Sequence, residues 1–521
     1  GLYIDRVRAF LFKLRLFGLH FASMDVRQDS RVIQSAMDSV LAASGEDVSS
    51  FRALSRDEQV NRLFAWPVGM DVGKLELERH QDVLDSLRVM RKIQKQNGER
   101  ACHRFIISNC SGVLDVAAIF ALSRASGAET EAALDIVPLF ETIADLENAS
   151  NEMEAMYAHP IYRSHLLQRN ERQTVMLGFS DGTKDGGYLR ANWAIYQSKQ
   201  ALTAVSKANK ITVVFFDGRG GPPARGGGNT HRFYASLGTD IQNDEIQTTI
   251  QGQTISSNFG IPKSAGFNLE LLLTAGLQNR LFEDQSSEMS ADQAALLSEL
   301  GTLSYEHYAQ LKAHDQFMNY LQTWGTLKYY GQTNIGSRPT SREGSGPMSF
   351  ADLRAIPFVG SWTQLKQNVP GFYGVGAALE AMESAGRLDE VSRLYEQNLF
   401  FRSLIENSMQ SMVKSDFRLT AHLANDPTFG HIWNQIQKEY ERTERLVLVI
   451  SGQNTLMQRN PHIKESIALR DGIIRPLLVI QHFALHHLAQ EPFSQDWDPE
   501  VMRRLVVRSM FGIINASRNA V

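Results

Sequence analysis

Residues 213 to 231 read VVFFDGRGGPPARGGGNTH, an apolar run that breaks into six glycines interleaved with Arg219 and Arg225 and closed by Asn229 and His231. Glycine lets backbone N–H groups approach a ligand closely, and two arginines six residues apart supply planar, charge-assisted donors to a phosphate or a carboxylate. No Lys-Ser or Lys-Thr pair follows the glycines, and their spacing is a poor dinucleotide fingerprint, so a nucleotide is disfavoured as the anion. The competing reading is a tight multi-turn whose arginines pair with acidic neighbours.

A second constellation, GFSDGTKDGGYL at 178 to 189, sets Asp181 at a strand end, Lys184 three residues on, and Gly186 and Gly187 before a helix. A carboxylate and an ammonium so placed can hold a hard divalent cation beside an anion; a surface turn with an aspartate at a helix start would look the same. Glu141, after the apolar VPLF, is a metal ligand, a general base or an ion-pair partner. Arg27 in MDVRQDS and Arg354 in DLRAIPF carry the same ambiguity between anion clamp and ion pair. In QHFALHHLAQ, His482 and His486 share a helix face, but no carboxylate or cysteine stands at ligand spacing, and they read as packing.

The elements that must position these groups change character along the chain. The first half alternates strand-like runs, FASMDVRQ (21 to 28), DIVPLFET (135 to 142), TVMLGFSD (174 to 181) and ITVVFFDG (211 to 218), with helical ones such as 82 to 94 and 192 to 209. Near-continuously apolar strands separated by helices predict a parallel sheet or barrel with chemistry at the carboxyl ends of its strands. Those ends would carry Asp25 with Arg27, Glu141, Asp181, and Asp217 with Arg219. From about residue 265 long amphipathic helices take over, with Leu296, Leu300, Leu303 and Leu311 on one stripe. The expected class is α/β but predominantly helical, with a barrel-forming portion at 1–265 and a helical portion at 266–521. A Gly/Ser/Pro-rich stretch at 331 to 358 interrupts the helices and reads as functional or mobile.

Composition narrows the partners. A formal net charge of -4 leaves no global basic field, so nucleic acid is not an expected partner. Two cysteines, Cys102 and Cys110, fit neither a redox pair nor a zinc site, and predict a reducing, cytoplasmic setting. No apolar run reaches the roughly 18 residues of a membrane helix, so no membrane partner is expected. The chain opens on an amphipathic pattern, Ile4, Val7, Phe10, Leu11, Leu14 and Phe17, which imitates a membrane-surface helix but is expected to pack on a core.

Taken in order, MDVRQDS, PLFET, GFSDGTKDGGYL, FFDGRGGPPARGGGNTH, IGSRP, LRAIP, MVKSD, SIALRD and the final SRNAV resemble the carboxy-terminal part of the phosphoenolpyruvate carboxylases, across essentially the whole chain. The resemblance implies a cytoplasmic, largely helical enzyme on a β/α barrel with a carboxy-terminal helical bundle, a homotetramer when full length. Its reaction converts phosphoenolpyruvate and bicarbonate to oxaloacetate and phosphate with Mg2+ or Mn2+. By position Glu141 and Asp181 match the metal carboxylates; Arg27, Arg219, Arg354 and Arg338 the substrate arginines, with Gly220 and Gly221 beside them; and Lys184 the active-site lysine. Residues 340–347 match a mobile loop, and Arg225, Lys414, Arg470 and Asn519 a pocket for an acidic effector such as aspartate or malate.

Two departures qualify the match. Asp217 stands where the family carries a histidine. The family's other histidine motif, Thr-Ala-His-Pro-Thr, is not found: Tyr157 to Pro160 read YAHP but fall where the family has a helix-loop segment. About two-fifths of the enzyme is therefore expected to lie outside this chain, which alone would be inactive. Two other classes stay open: another metal-dependent phosphoenolpyruvate or pyruvate barrel enzyme, and a non-catalytic effector-binding or assembly module.

Overall fold

The computed structural model describes residues 3–68, 73–127, 133–250, 253–281, 289–332, 350, 353–490 and 497–517. Contacts divide the chain into two compact units. The first is Gly1–Leu177 with Ser198–Phe216 and Glu245–Gln247; the second is Gly178–Gln197, Asp217–Asp244 and Thr248–Val521. The change of pattern near residue 265 marks something else: β6, the last strand among the described residues, precedes it, and helices follow.

The sheet runs β1 (Asp25–Asp29), β2 (Arg104–Ser108), β3 (Asp135–Phe140), β4 (Arg172–Leu177), β5 (Thr212–Asp217) and β6 (Ile246–Thr248), in that spatial order. The pairs from β1 to β4 are parallel, with Arg27 opposite Ile106 and Ile106 opposite Val137. Parallel neighbours need crossovers, here Val113–Ala125 between β2 and β3 and Ile143–Ala158 between β3 and β4. One sheet face gathers Ile106, Val137, Leu139 and Met176, with Phe216 against them. The Val113–Ala125 helix is buried nearly all round, which its VLDVAAIFALSRA sequence permits.

Four of these strands are those the sequence predicts. β2 and β6 are not: RFIIS has only three consecutive apolar residues and IQT is mostly polar, too short for either to show a period. β1 also starts later than expected, because Phe21 adopts φ 63 and is exposed, so the chain turns before the ladder begins. Asp25 therefore lies at the amino end of β1, where it pairs with Arg104 of β2 at 2.8 Å, rather than at the carboxyl end. Cys102 and Cys110 flank β2, and both are buried and unpaired.

The Ile4–Phe17 helix forms as its pattern predicts, but it does not pack on a core: none of its residues is buried. Its apolar residues, Ile4, Val7, Phe10, Leu11, Leu14 and Phe17 among them, all stay exposed.

The second unit is built of helices. Its core collects Tyr308, Phe317, Tyr320, Trp324, Phe358, Trp362, Trp433 and Ile436. Most of the expected stripe is present on Ala291–Lys312, where Leu296, Leu300 and Leu311 are buried and Leu303 is half-buried. The histidines of the Pro461–Ala489 helix pack as aromatic surfaces, His486 lying 6.0 Å from the Trp324 ring.

Candidate active site

In the first unit, Glu141 stands one residue past β3, fixed there by the capping box of Thr142 and Asp145 that starts the next helix. It is 2% exposed, and its Oε1 accepts from Arg27 Nη2 at 3.3 Å and from the backbone N–H of Asn109 at 3.3 Å. The sheet thus brings two of the expected residues together, across the intervening β2.

In the second unit, Asp181 is not on a strand end. β4 stops at Leu177, and Asp181 occupies the first turn of the Phe179–Gly186 helix, where unpaired N–H groups and the helix dipole favour a carboxylate. Lys184 lies one turn on, buried, donating Nζ to the Leu353 carbonyl at 2.6 Å and lying 4.7 Å from the Phe350 ring centre. Gly187, at φ 74, ends the helix, and Tyr188 begins the next.

The glycine-rich stretch folds back on itself. Gly220 donates to the Arg225 carbonyl at 3.2 Å, Gly227 to Pro222 at 3.0 Å and Gly228 to Gly221 at 3.1 Å, around a single turn at Pro223–Arg225. A Cβ on Gly220 would fall 2.5 Å from that of Arg225, and one on Gly226, at φ 70, 2.7 Å from that of Phe179. The glycines are needed for this close packing of chain on chain. The N–H of Gly220 is used inside the loop, so what that residue offers a ligand is approach, not a donor.

Arg219 is 4% exposed, donates Nη1 to Thr230 Oγ1 at 3.2 Å and lies across the Phe233 ring, 4.5 Å from its centre. Burial lowers its pKa, while Tyr188, Tyr234 and Asp217 act in the opposite sense. Arg225 is buried too; burial pushes its guanidinium down to about 10, opposed by Asp181 and Tyr330. Both stay cationic near neutral pH. Asp217 accepts a hydrogen bond from Tyr234 Oη at 2.7 Å.

Thr230, Phe233 and Tyr234 were not foreseen. Their signal was available: Asn229 caps the Thr230–Ala235 helix by accepting from the Arg232 N–H, which puts the three at i, i+3 and i+4 on one face.

Arg354 takes the N-cap position of the Ala355–Gln364 helix. Lys414 and Arg470 come together with Lys366 and Asp471: Lys366 Nζ donates to Asp471 Oδ1 at 2.8 Å, whereas the buried Lys414 Nζ has no hydrogen-bond partner among the described residues. Burial first, then Lys366 and Arg470, push the Lys414 ammonium down to about 8. The Pro223–Arg225 turn packs on the Leu399–Val413 helix, at whose C-cap Lys414 stands. Arg338, Asn519 and the 340–347 loop lie outside the described residues. His159 and Pro160 join two helices, Ile143–Ala158 and Pro160–Gln168, so the YAHP sequence is a helix junction.

The family model for phosphoenolpyruvate carboxylase matches residues 2–520. Among similar proteins, the phosphoenolpyruvate carboxylase of Mycobacterium avium is 34% identical over 99% of this chain and 57% of its own length. Those of Corynebacterium glutamicum and Rhodothermus marinus are 32% and 30% identical, covering 58% and 57% of their lengths. The chain thus spans somewhat more than half the length of the curated relatives it matches, and over that span it belongs to the phosphoenolpyruvate carboxylase family.

Proposed function

We propose that the protein carrying this chain carboxylates phosphoenolpyruvate with bicarbonate, giving oxaloacetate and phosphate. The observation that carries the reading is Arg219: a buried guanidinium in a glycine-built loop, oriented by an aromatic face and a hydroxyl. A cation held by uncharged partners keeps its charge for an anionic substrate.

Bicarbonate must attack the phosphoryl group, which yields carboxyphosphate and the enolate of pyruvate. Phosphate and enolate both need fixed positive charge, and in this reading Arg27, Arg219, Arg354 and Arg338 provide it, with Lys184 at the same site and Gly220 and Gly221 allowing close approach. Carboxyphosphate then releases CO2, which must meet the enolate before the enolate is protonated, so water must be excluded; residues 340–347 are assigned that task.

Glu141 and Asp181 would hold Mg2+ or Mn2+. Two carboxylates are a fitting donor set, since Mg2+ characteristically takes one or two carboxylates and fills its remaining positions with water and substrate oxygens. Among the described residues there is no group of three or more His, Cys, Asp or Glu that would form a closed cage instead. Bound there, the ion would supply Lewis-acid charge to the phosphoryl and enolate oxygens.

Lys414, Arg470 and Arg225, with Asn519, are proposed to receive an acidic effector, aspartate or malate. Three cations against one carboxylate, Lys366, Lys414 and Arg470 with Asp471, support an anion there. We also infer that the six-stranded sheet is part of a β/α barrel, that the full-length protein is a homotetramer and that it works in the cytoplasm; no described helix is long and apolar enough to cross a membrane. The test is bicarbonate-dependent oxaloacetate formation by the full-length protein, with Arg219→Ala as control. Phosphate release that ignores bicarbonate, or full activity of the variant, would overturn the reading.

A further inference from the structure

Asp217 closes β5 with its carboxyl 1% exposed, two residues before Arg219, and the reaction proposed above gives it no role. Both its main chain and its side chain are pinned. Its carbonyl accepts from the Thr249 N–H at 3.0 Å, and its Oδ2 accepts from Tyr234 Oη at 2.7 Å. Tyr234 is itself buried and also hydrogen-bonds the Thr248 side chain. One helical turn, Thr230–Ala235, therefore carries the hydroxyl that holds Asp217 and also the hydroxyl and ring that hold Arg219.

A buried carboxyl oxygen needs a donor, and leaving it without one is costly. If Tyr234 did not supply the proton, the guanidinium two residues along could. Arginine and carboxylate form short, directional, often two-pronged pairs, and such a pair would turn Arg219 away from Thr230 and commit its donors to Asp217. We propose that Asp217 and Tyr234 form a positioning pair for Arg219: the tyrosine hydroxyl engages Oδ2 of the carboxyl and keeps it from capturing the guanidinium, so that the arginine, held by Thr230 and Phe233, keeps its donors for the incoming phosphoenolpyruvate. This rests on the substrate role given to Arg219 above.

The pair has a signature that a purely structural role lacks. In the full-length protein, Tyr234→Phe keeps the ring against Phe233 and removes only the hydroxyl; it should raise the KM for phosphoenolpyruvate about tenfold, with kcat changed less than about threefold. Asp217→Asn removes the charge that would capture the arginine. Added to Tyr234→Phe it should restore KM to within about threefold of the parent, so the double variant outperforms the single. A double variant as poor as Tyr234→Phe, or a Tyr234→Phe KM within about twofold of the parent, would overturn the pair. So would a collapse of kcat at unchanged KM in Asp217→Asn, which would make Asp217 a group acting directly in the chemistry. Calorimetric binding of phosphoenolpyruvate to the same four proteins gives the same ranking without turnover. A parent that binds phosphoenolpyruvate but makes no oxaloacetate would refute the proposed reaction while the binding series still decides the pair; a parent that does not bind it would refute both.

Discussion

Cations at the sheet and cations in the motif segments of the helical unit are held differently. At the sheet, arginines meet carboxylates: Arg27 with Glu141, Arg104 with Asp25 and Arg169 with Asp135. In the motif segments of the helical unit Arg219 rests on a hydroxyl and a phenylalanine ring, Lys184 donates to a backbone carbonyl, and Lys414 Nζ meets no hydrogen-bond acceptor among the described residues. The first arrangement spends charge on architecture and gains registry of the strands. The second carries an unfavourable desolvation that an anionic ligand would relieve, which is how a site differs from a scaffold made of the same residue types.

The sharpest break of that contrast is Arg219→Ala in the full-length protein. It should lower oxaloacetate formation about 100-fold or more while leaving the melting temperature nearly unchanged, because no carboxylate hydrogen-bonded to Arg219 is left behind. Arg219→Lys should not restore it, since the planar fork is lost.

Glu141→Gln tests the other side. It should raise the Mg2+ concentration needed for half-maximal activity at least about tenfold, and chelation should abolish parental activity reversibly. An unchanged Mg2+ requirement would return Glu141 to a purely ion-pairing role with Arg27.

Gly226→Ala asks whether the loop's compactness matters. At φ 70 and with a Cβ 2.7 Å from that of Phe179, alanine should cost about 2 kcal/mol or more, read from the urea midpoint of the chain. A change below about 0.5 kcal/mol would show that the loop can open without loss.

Lys414 gives the smallest effect. Its folded pKa of about 8 lies below the ordinary 10.5, so between those values the unfolded chain holds the extra proton and stability rises with pH. Binding of aspartate should weaken as the folded ammonium is lost around its pKa of about 8, a several-fold drop in calorimetric affinity between about pH 7 and about pH 9. Affinity independent of pH would remove Lys414 from the effector group.

Much of this was legible in the sequence, for identifiable reasons. The glycine-rich loop, the Asp181 to Lys184 spacing and Glu141 after VPLF announce themselves because their residue types are unusual where they occur. What was not legible depends on where an element begins. Asp25 looked like a strand-end ligand because β1 was read from Phe21, and Asp181 because the apolar run hides the turn at Gly178. For Tyr234 the helix face was legible from the Asn229 cap, but its partner was not: Asp217 lies seventeen residues earlier, and only the folded chain brings the two together. The Ile4–Phe17 helix shows the converse, a correct local pattern whose predicted burial does not follow.

The buried cysteines on either side of β2 have a practical corollary. They are the only thiols in the chain, and burial raises the pKa of both, so neither should react with a thiol reagent while the sheet is closed. Labelling then becomes a clock for the opening of the strand that separates Arg27 from Glu141. Run with and without Mg2+, it would test whether the ion proposed to bind at Glu141 slows the opening of that sheet.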